Sequence, residues 1–287
     1  MVIDYGALKG RRLPEVVTEY QATDCMLYAL GLGIGHDPID PDQLRFVYEK
    51  DLLAMPTMST VLAHPGFWYQ DPSVGIDWRY IVHGEQYLTI HRPLPTSGRV
   101  RSSSHVVEVI DKGEGRGAHV YWQRELFDDA DGALLSTLSV TAVCRSAGGF
   151  GGPPVEPPYS LQRLPEAPSG AGFDFRVPEQ AALIYRLSGD MNPLHAEPAS
   201  AQKSGFDRPI LHGLATYGAA AYSFLSLIAN GDPSRLRRFD ARFSAPVYPG
   251  DTLRTEVWDE GDGQFRFRTA VPERGVTVLD RGTAEVR

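Results

Sequence analysis

The sequence predicts an α+β protein, two diverged sheet-plus-helix repeats sharing one continuous antiparallel sheet. Three observations predict it. Similar turn-and-strand patterns occur in both halves of the 287-residue chain, the mark of an internal repeat. One long segment is apolar nearly all round, as a helix enclosed by a sheet must be. A Gly- and Pro-rich stretch separates the halves.

In the first half a helix starts near Thr23 and ends in Gly31-Leu-Gly-Ile-Gly35. That run is no dinucleotide loop, because it lacks the third glycine spacing, a preceding strand and an acidic partner downstream. Trp68-Tyr-Gln-Asp-Pro-Ser-Val-Gly75 cannot form a long helix, since Pro72 and Gly75 break it. A sheet without its full helix is expected to leave apolar volume unfilled. Pro93-Leu-Pro-Thr-Ser-Gly98 then leads into a run of period two, a turn at Asp111-Lys-Gly-Glu-Gly115, a strand with Val120 and Trp122, and Asp128-Asp-Ala-Asp-Gly132. The last is read as a hairpin turn, because it lacks the closing Glu of a calcium loop.

Ser146-Ala-Gly-Gly-Phe-Gly-Gly-Pro-Pro-Val-Glu-Pro-Pro158 reads as a linker into an irregular stretch reaching about Gly172. The expected division is therefore 1–145, a linker over 146–172, and 173–287. In the second half Leu211 to Ala229 holds no Asp, Glu, Lys or Arg, and Asn230-Gly231 can stop it. Pro246-Val-Tyr-Pro-Gly250 and Asp259-Glu-Gly-Asp-Gly263 match the turns of the first half. Phe265 and Phe267 alternate with Arg266 and Arg268, as on a half-buried strand.

Composition excludes several classes. The net charge of −8 argues against general nucleic-acid binding. No uninterrupted apolar run reaches the ~18–20 residues of a membrane span. Cys25 and Cys144 make neither a disulfide framework nor a metal spacing, and are expected to be small buried thiols of a reducing compartment. With no signal-peptide pattern at Met-Val-Ile-Asp-Tyr5 and no peroxisomal Ser-Lys-Leu signal at Arg287, the expected compartment is the cytoplasm. No Gly-x-Ser-x-Gly elbow and no clustered metal-ligand set occurs in the sequence.

Tyr185-Arg-Leu-Ser-Gly-Asp190-Met-Asn-Pro-Leu-His195 carries the chemistry. Gly189 permits a tight turn, and Pro193 suits the first turn of a helix. An acid and an imidazole on a stiff connector can shuttle protons. Asp and Asn before a helix also serve as plain caps, so both readings stand at this point. Downstream, Gly205-Phe-Asp-Arg-Pro-Ile-Leu-His-Gly-Leu214 opens the apolar helix. The Gly213 N–H would project from its N-terminus, where negative charge is favoured.

These two motifs resemble those of the MaoC-like, R-specific enoyl-CoA hydratase 2 family. Met26-Leu-Tyr-Ala-Leu-Gly-Leu-Gly33, Phe46-Val-Tyr-Glu49, His83-Gly-Glu-Gln-Tyr-Leu88 and Arg242-Phe-Ser-Ala-Pro-Val-Tyr-Pro-Gly250 extend the likeness over nearly the whole chain. The resemblance implies a double hotdog fold whose first unit has lost its catalytic motif and binds the acyl group. It implies hydration of a trans-2-enoyl-CoA to the (3R)-3-hydroxyacyl-CoA, without cofactor or metal, in a homodimer. Asp190 and His195 would be the acid–base pair, Asn192 an orienting group, Glu49 a supporting polar group and Gly213 the oxyanion donor. His83, Gly84, Met191, Pro193, Leu194 and Phe243 would contact substrate. Lys112 is the favoured partner for the CoA phosphates, since Glu260 holds the matching repeat position, with Arg208, Lys203 and Arg242 behind it. His212 reads as structural. Met55, Met58, Leu62 and Trp68 are candidates to line the acyl space. The competing readings are a dehydratase of acyl carrier protein thioesters, a thioesterase on the same fold, and a non-catalytic acyl-CoA-binding protein.

Overall fold

The computed structural model describes residues 2–287. The first half contributes strands β1 (Arg12–Tyr20), β2 (Ile81–Ile90), β3 (Gly98–Asp111), β4 (Ala118–Asp128) and β5 (Leu134–Cys144). The second contributes β6 (Ala171–Arg176), β7 (Leu236–Phe243), β8 (Thr252–Gly261), β9 (Gln264–Val271) and β10 (Val276–Val286). They form one ten-stranded sheet in the order β1-β3-β4-β5-β2-β7-β10-β9-β8-β6. Every pairing is antiparallel. Read from each edge inward, the two halves have the same strand order, so the repeat seen in the turns is a repeat of topology. The halves join where β2 runs beside β7, with Glu85 opposite Arg242 and Leu88 opposite Phe239.

The helices are α1 (Tyr5–Leu8), α2 (Ala22–Leu32), α3 (Pro41–Val47), α4 (Ala181–Tyr185), α5 (Pro198–Lys203) and α6 (Gly213–Ile228). Asp24 caps the start of α2 by accepting the Gln21 N–H at 2.7 Å. Gly33 ends that helix at φ 103°, a left-handed conformation that costs glycine little. The Gly-rich run is thus a helix terminator. Helix α6 is enclosed over most of its length, with Ala215 to Leu225 all buried. Asn230, at φ 52°, and Gly231 stop it, the Gly231 N–H donating back to the Leu225 carbonyl at 3.0 Å. Side chains from α2, α6 and both half-sheets form one shared core. A smaller second core gathers around Val106, Trp122 and Val140.

No long helix precedes β2. The stretch that matches α6 is reduced to single 3₁₀ turns at Trp68–Gln70, Pro72–Val74 and Trp78–Tyr80. The expected open volume is not left open, however. Met55, Met58, Leu62, Tyr69 and Val74 are buried there, because uncovered apolar sheet draws in whatever apolar side chains can reach it. Arg124 on β4 fastens this cover. It is only 2% exposed and donates to the carbonyls of Leu62, Ser59 and Thr60 at 3.0, 2.9 and 2.7 Å. Burial draws its pKa down to about 9. Arg124→Leu strands three buried carbonyls and is expected to cost about 3 kcal/mol. Urea unfolding of the two proteins measures that difference.

The irregular connection ends two residues earlier than the sequence suggested. Ala171 and Gly172 already pair with Val257 and Glu256 as the start of β6. Backbone pairing along an available edge overrides the turn preference of glycine. The connection is also docked rather than loose. The Trp258 indole donates to the Ala167 carbonyl at 2.7 Å, and the Tyr159 hydroxyl to Gln123 at 3.0 Å. Among the described residues, no helix is long and apolar enough to cross a membrane. Cys25 and Cys144 are free and buried, as expected.

Candidate active site

The site is assembled by three short pieces around the N-terminus of α6. Gly189, at φ 121°, turns the chain out of α4 and the following 3₁₀ turn. Asp190 comes next and is exposed. One of its carboxylate oxygens accepts the Asn192 N–H at 3.1 Å. Asn192 in turn caps the turn Pro193–His195, its side-chain oxygen accepting the Leu194 N–H at 3.0 Å. The capping reading therefore holds for Asn192. It orients His195 through the backbone of that turn, with its side-chain oxygen already committed to the cap.

His195 is buried, and its Nδ1 lies 2.9 Å from the Ile210 carbonyl oxygen. A carbonyl only accepts, so Nδ1 carries the proton and Nε2 keeps its lone pair. Burial lowers the His195 pKa, which favours this neutral form. His212 lies directly against it, the two rings stacked with centroids 3.7 Å apart. The His212 Nε2 is 3.1 Å from the main-chain carbonyl of Asp190, so by the same reasoning it is the donor. Asp190, His195 and His212 each offer a donor atom within 4.8 Å of the others. That span suits one water bridging two of them. The three are also ligand types for a divalent metal.

The candidate oxyanion donor lies at the start of α6. Helix α6 begins at Gly213 with His212 as its cap residue and no side-chain cap. Among the described residues the Gly213 and Leu214 N–H groups have no hydrogen-bond partner, so they stay available beside the paired imidazoles. A Cβ at Gly213 would lie 3.3 Å from the Phe243 ring. Phe243 in turn packs on His83 at 4.7 Å between ring centroids. His83 has a buried, unpartnered Nε2, and burial lowers its pKa to about 4. Gly84 forms a bulge in β2, where a Cβ would meet Val143 at 2.8 Å. A continuous path thus runs from Asp190 and His195 over Gly213 and Phe243 to His83 in the first half.

Other expected site residues stand apart. Glu49 is exposed beyond the end of α3, outside the cluster of Asp190, His195 and His212. Arg242 is committed to Glu85 in a 2.6 Å ion pair. Arg208 is exposed with its guanidinium 5.2 Å above the Tyr248 ring. Exposed Lys112 lines a cavity of about 480 Å³ with Arg116, Pro153 and Glu156. Met191 and Pro193 are exposed on the loop between Asp190 and His195, and Leu194 is half-buried. Sequence reasoning placed His212 in the structure but not in the site. Its signal was available in its position immediately before the donor Gly213.

Burial also draws the His212 pKa down to about 4, with the neighbouring His195 adding to the effect. A depressed pKa means the folded state resists protonation. The associated stability is present above the ordinary value near 6.5 and is lost as pH falls through 4. It is on the order of 3 kcal/mol for His212. Thermal unfolding across pH 7 to 4 should show a fall that is shallower in His212→Gln.

Two antiparallel half-sheets of matching strand order, joined in one chain around a buried helix, define the double hotdog class. A Mycobacterium tuberculosis protein described as a double hotdog superposes with TM-score 0.55 over 99% of this chain at 16% identity. Residues 157–281 match the MaoC like domain family and residues 18–146 the MFE-2 hydratase 2 N-terminal domain family. The chain is 36% identical to the enoyl-CoA hydratase 2, peroxisomal, of Arabidopsis thaliana, across 98% of this chain and 94% of that protein. It is 35% identical to the 3-hydroxyacyl-thioester dehydratase Y of Mycobacterium tuberculosis, across 99% of each. Among solved structures, the peroxisomal multifunctional enzyme type 2 of Drosophila melanogaster aligns with TM-score 0.82 and 35% identity, covering 96% of this chain and 48% of that one. The chain therefore belongs to the MaoC-like hydratase 2 family. Two of these relatives are named as peroxisomal, so they lend no support to the cytoplasmic expectation.

Proposed function

We propose that this chain is a hydro-lyase that adds water R-specifically to trans-2-enoyl-CoA, giving the (3R)-3-hydroxyacyl-CoA, and runs the reverse dehydration. One observation carries the reading. Among the described residues, a neutral imidazole with a free Nε2 stands beside a carboxylate, the two residues offering ligand atoms within 4.8 Å of each other, next to an unpartnered N–H at the start of α6.

In this mechanism the thioester oxygen sits against the Gly213 N–H, which draws electron density from C3. His195 Nε2 takes one proton from the water, while the Asp190 carboxylate accepts a hydrogen bond from the O–H that remains and orients the attack. The hydroxyl bonds to C3, and the C2–C3 π electrons shift to make an enolate. Its oxygen is held by Gly213 and the N-terminal field of α6. The proton on His195 then passes to C2, restoring the thioester and the neutral imidazole. Water and proton come from one side, so addition is syn.

The acyl group is proposed to follow the path over Phe243 and His83 toward the first half. There Met55, Met58, Leu62 and Trp68 must yield space to it. The short turns at Trp68–Gln70 and Pro72–Val74 lie outside the stretch that Arg124 fastens and are proposed to give way first. Lys112 with Arg116, and Arg208, are proposed to meet the CoA phosphates. Glu49 as a supporting group, residues 1–145 as the acyl-binding unit and the homodimer belong to the same proposal. No step of this proposed mechanism calls on a metal.

Turnover of crotonyl-CoA and longer or branched enoyl-CoAs tests the reading. Formation of 3-hydroxyacyl-CoA is the expected result. Free CoA release without the hydroxy product would mean a thioesterase instead. A strong preference for carrier-linked thioesters would favour the reading as a dehydratase of acyl carrier protein substrates.

A further inference from the structure

We propose that His212 is a positioning residue that sets both members of the acid–base pair, a proposal that rests on the hydratase reading. Two separate contacts carry it. Its Nε2–H bonds the Asp190 carbonyl at 3.1 Å, tying down the residue that bears the carboxylate. Its ring stacks on His195 at 3.7 Å, so the imidazole cannot swing off the Ile210 carbonyl that fixes its tautomer.

A side chain with only a packing role needs neither contact. His212 is 2% exposed, and an apolar residue would fill such a place without the cost of burying a polar ring. The local sequence explains how one residue does both tasks. His212 is the cap residue of α6, so its backbone is anchored by the buried helix. Asp190 has no such anchor. It lies in an exposed loop after Gly189, held otherwise by the Asn192 N–H alone. His212 transfers the rigidity of α6 to that loop.

The ring must also stay neutral. A second positive charge stacked on His195 would oppose the imidazolium that forms when His195 takes the proton from water. The surroundings enforce neutrality. Burial weighs most, the neighbouring His195 and the Arg186 guanidinium add to it, and among the described residues the Nδ1 is buried without a partner. Asp190 pulls the other way, through its carboxylate and through the carbonyl that accepts the Nε2–H.

The test compares three variants. Gln places an amide N–H where Nε2 stands, Asn carries its amide too short to reach, and Phe keeps the ring without the donor. His212→Asn and His212→Phe are expected to lower kcat roughly 10²-fold, as a small misplacement of catalytic groups does, with KM nearly unchanged. His212→Gln is expected to recover at least tenfold of that loss. Long-range ¹H–¹⁵N spectra of the imidazoles give a readout that needs no turnover. In the wild type His195 should appear as the Nδ1–H tautomer and His212 as the Nε2–H tautomer. In His212→Phe the His195 signal should shift toward mixed tautomers or broaden. Wild-type kcat in folded His212→Asn or His212→Phe would overturn the proposal, as would an unchanged His195 spectrum. Equal losses in Gln and Asn variants would overturn the role of the donor. If the wild type hydrates no enoyl thioester, the hydratase reading fails, while the spectra still decide whether His212 positions His195.

Discussion

Asp190→Asn is expected to lower kcat for enoyl-CoA hydration by ~10²–10⁴-fold, the range over which positioned acid–base groups contribute. The fold should not change. Asp190 is exposed, and an amide oxygen can still accept the Asn192 N–H that the carboxylate accepts now. The loss therefore isolates the negative charge of the carboxylate, which orients and polarises the attacking water. Steady-state kinetics beside a thermal melt separate the two, with KM close to the wild-type value and the melting temperature nearly unmoved. A variant retaining most of its kcat would assign Asp190 to capping alone, the reading its place before a 3₁₀ turn also allows.

Gly213→Pro is expected to cost ~10²–10³-fold in kcat by deleting one N–H aimed at the oxyanion. The substitution is unusually clean here. Proline is accepted at the first position of a helix, where the N–H has no intrahelical partner. The residue before it must be extended, and His212 already is, at φ −58° and ψ 138°. A Cβ there would lie 3.3 Å from the Phe243 ring, which must shift by a few tenths of an ångström to admit it. Since the enolate oxygen carries more charge than the ground-state thioester, kcat should fall more than binding weakens. A KM increase with constant kcat would mean that Gly213 shapes the pocket without holding the oxyanion.

How much of this was legible beforehand depends on the range of the interaction. The turns at Asp111–Gly115 and Asp259–Gly263, the alternation at Phe265–Arg268 and the uncharged run from Leu211 are local signals. They appear in the structure as hairpin turns, a half-buried strand and the enclosed helix α6. Asp190 and His195 were readable because five residues and one proline set their separation. The remainder depended on contacts across the sheet. Arg124 looks like any strand arginine until the carbonyls of residues 59 to 62 fold over it. The filling of the space beside Trp68 follows from the same cover. Arg242 looked available for phosphate until β7 met β2 and set it against Glu85. His212 is seventeen residues from His195 in sequence, and the stacking that joins them arises from two chain segments converging on α6.

The central claim is that one water, held by Asp190 and His195, supplies both the hydroxyl at C3 and the proton at C2. Hydration of a trans-2-enoyl-CoA in deuterium oxide, followed by NMR of the product, tests it most directly. The account predicts a (3R)-3-hydroxyacyl-CoA with deuterium at C2 on the face that received the hydroxyl. Deuterium on the opposite face, or scrambled between the two, would contradict it.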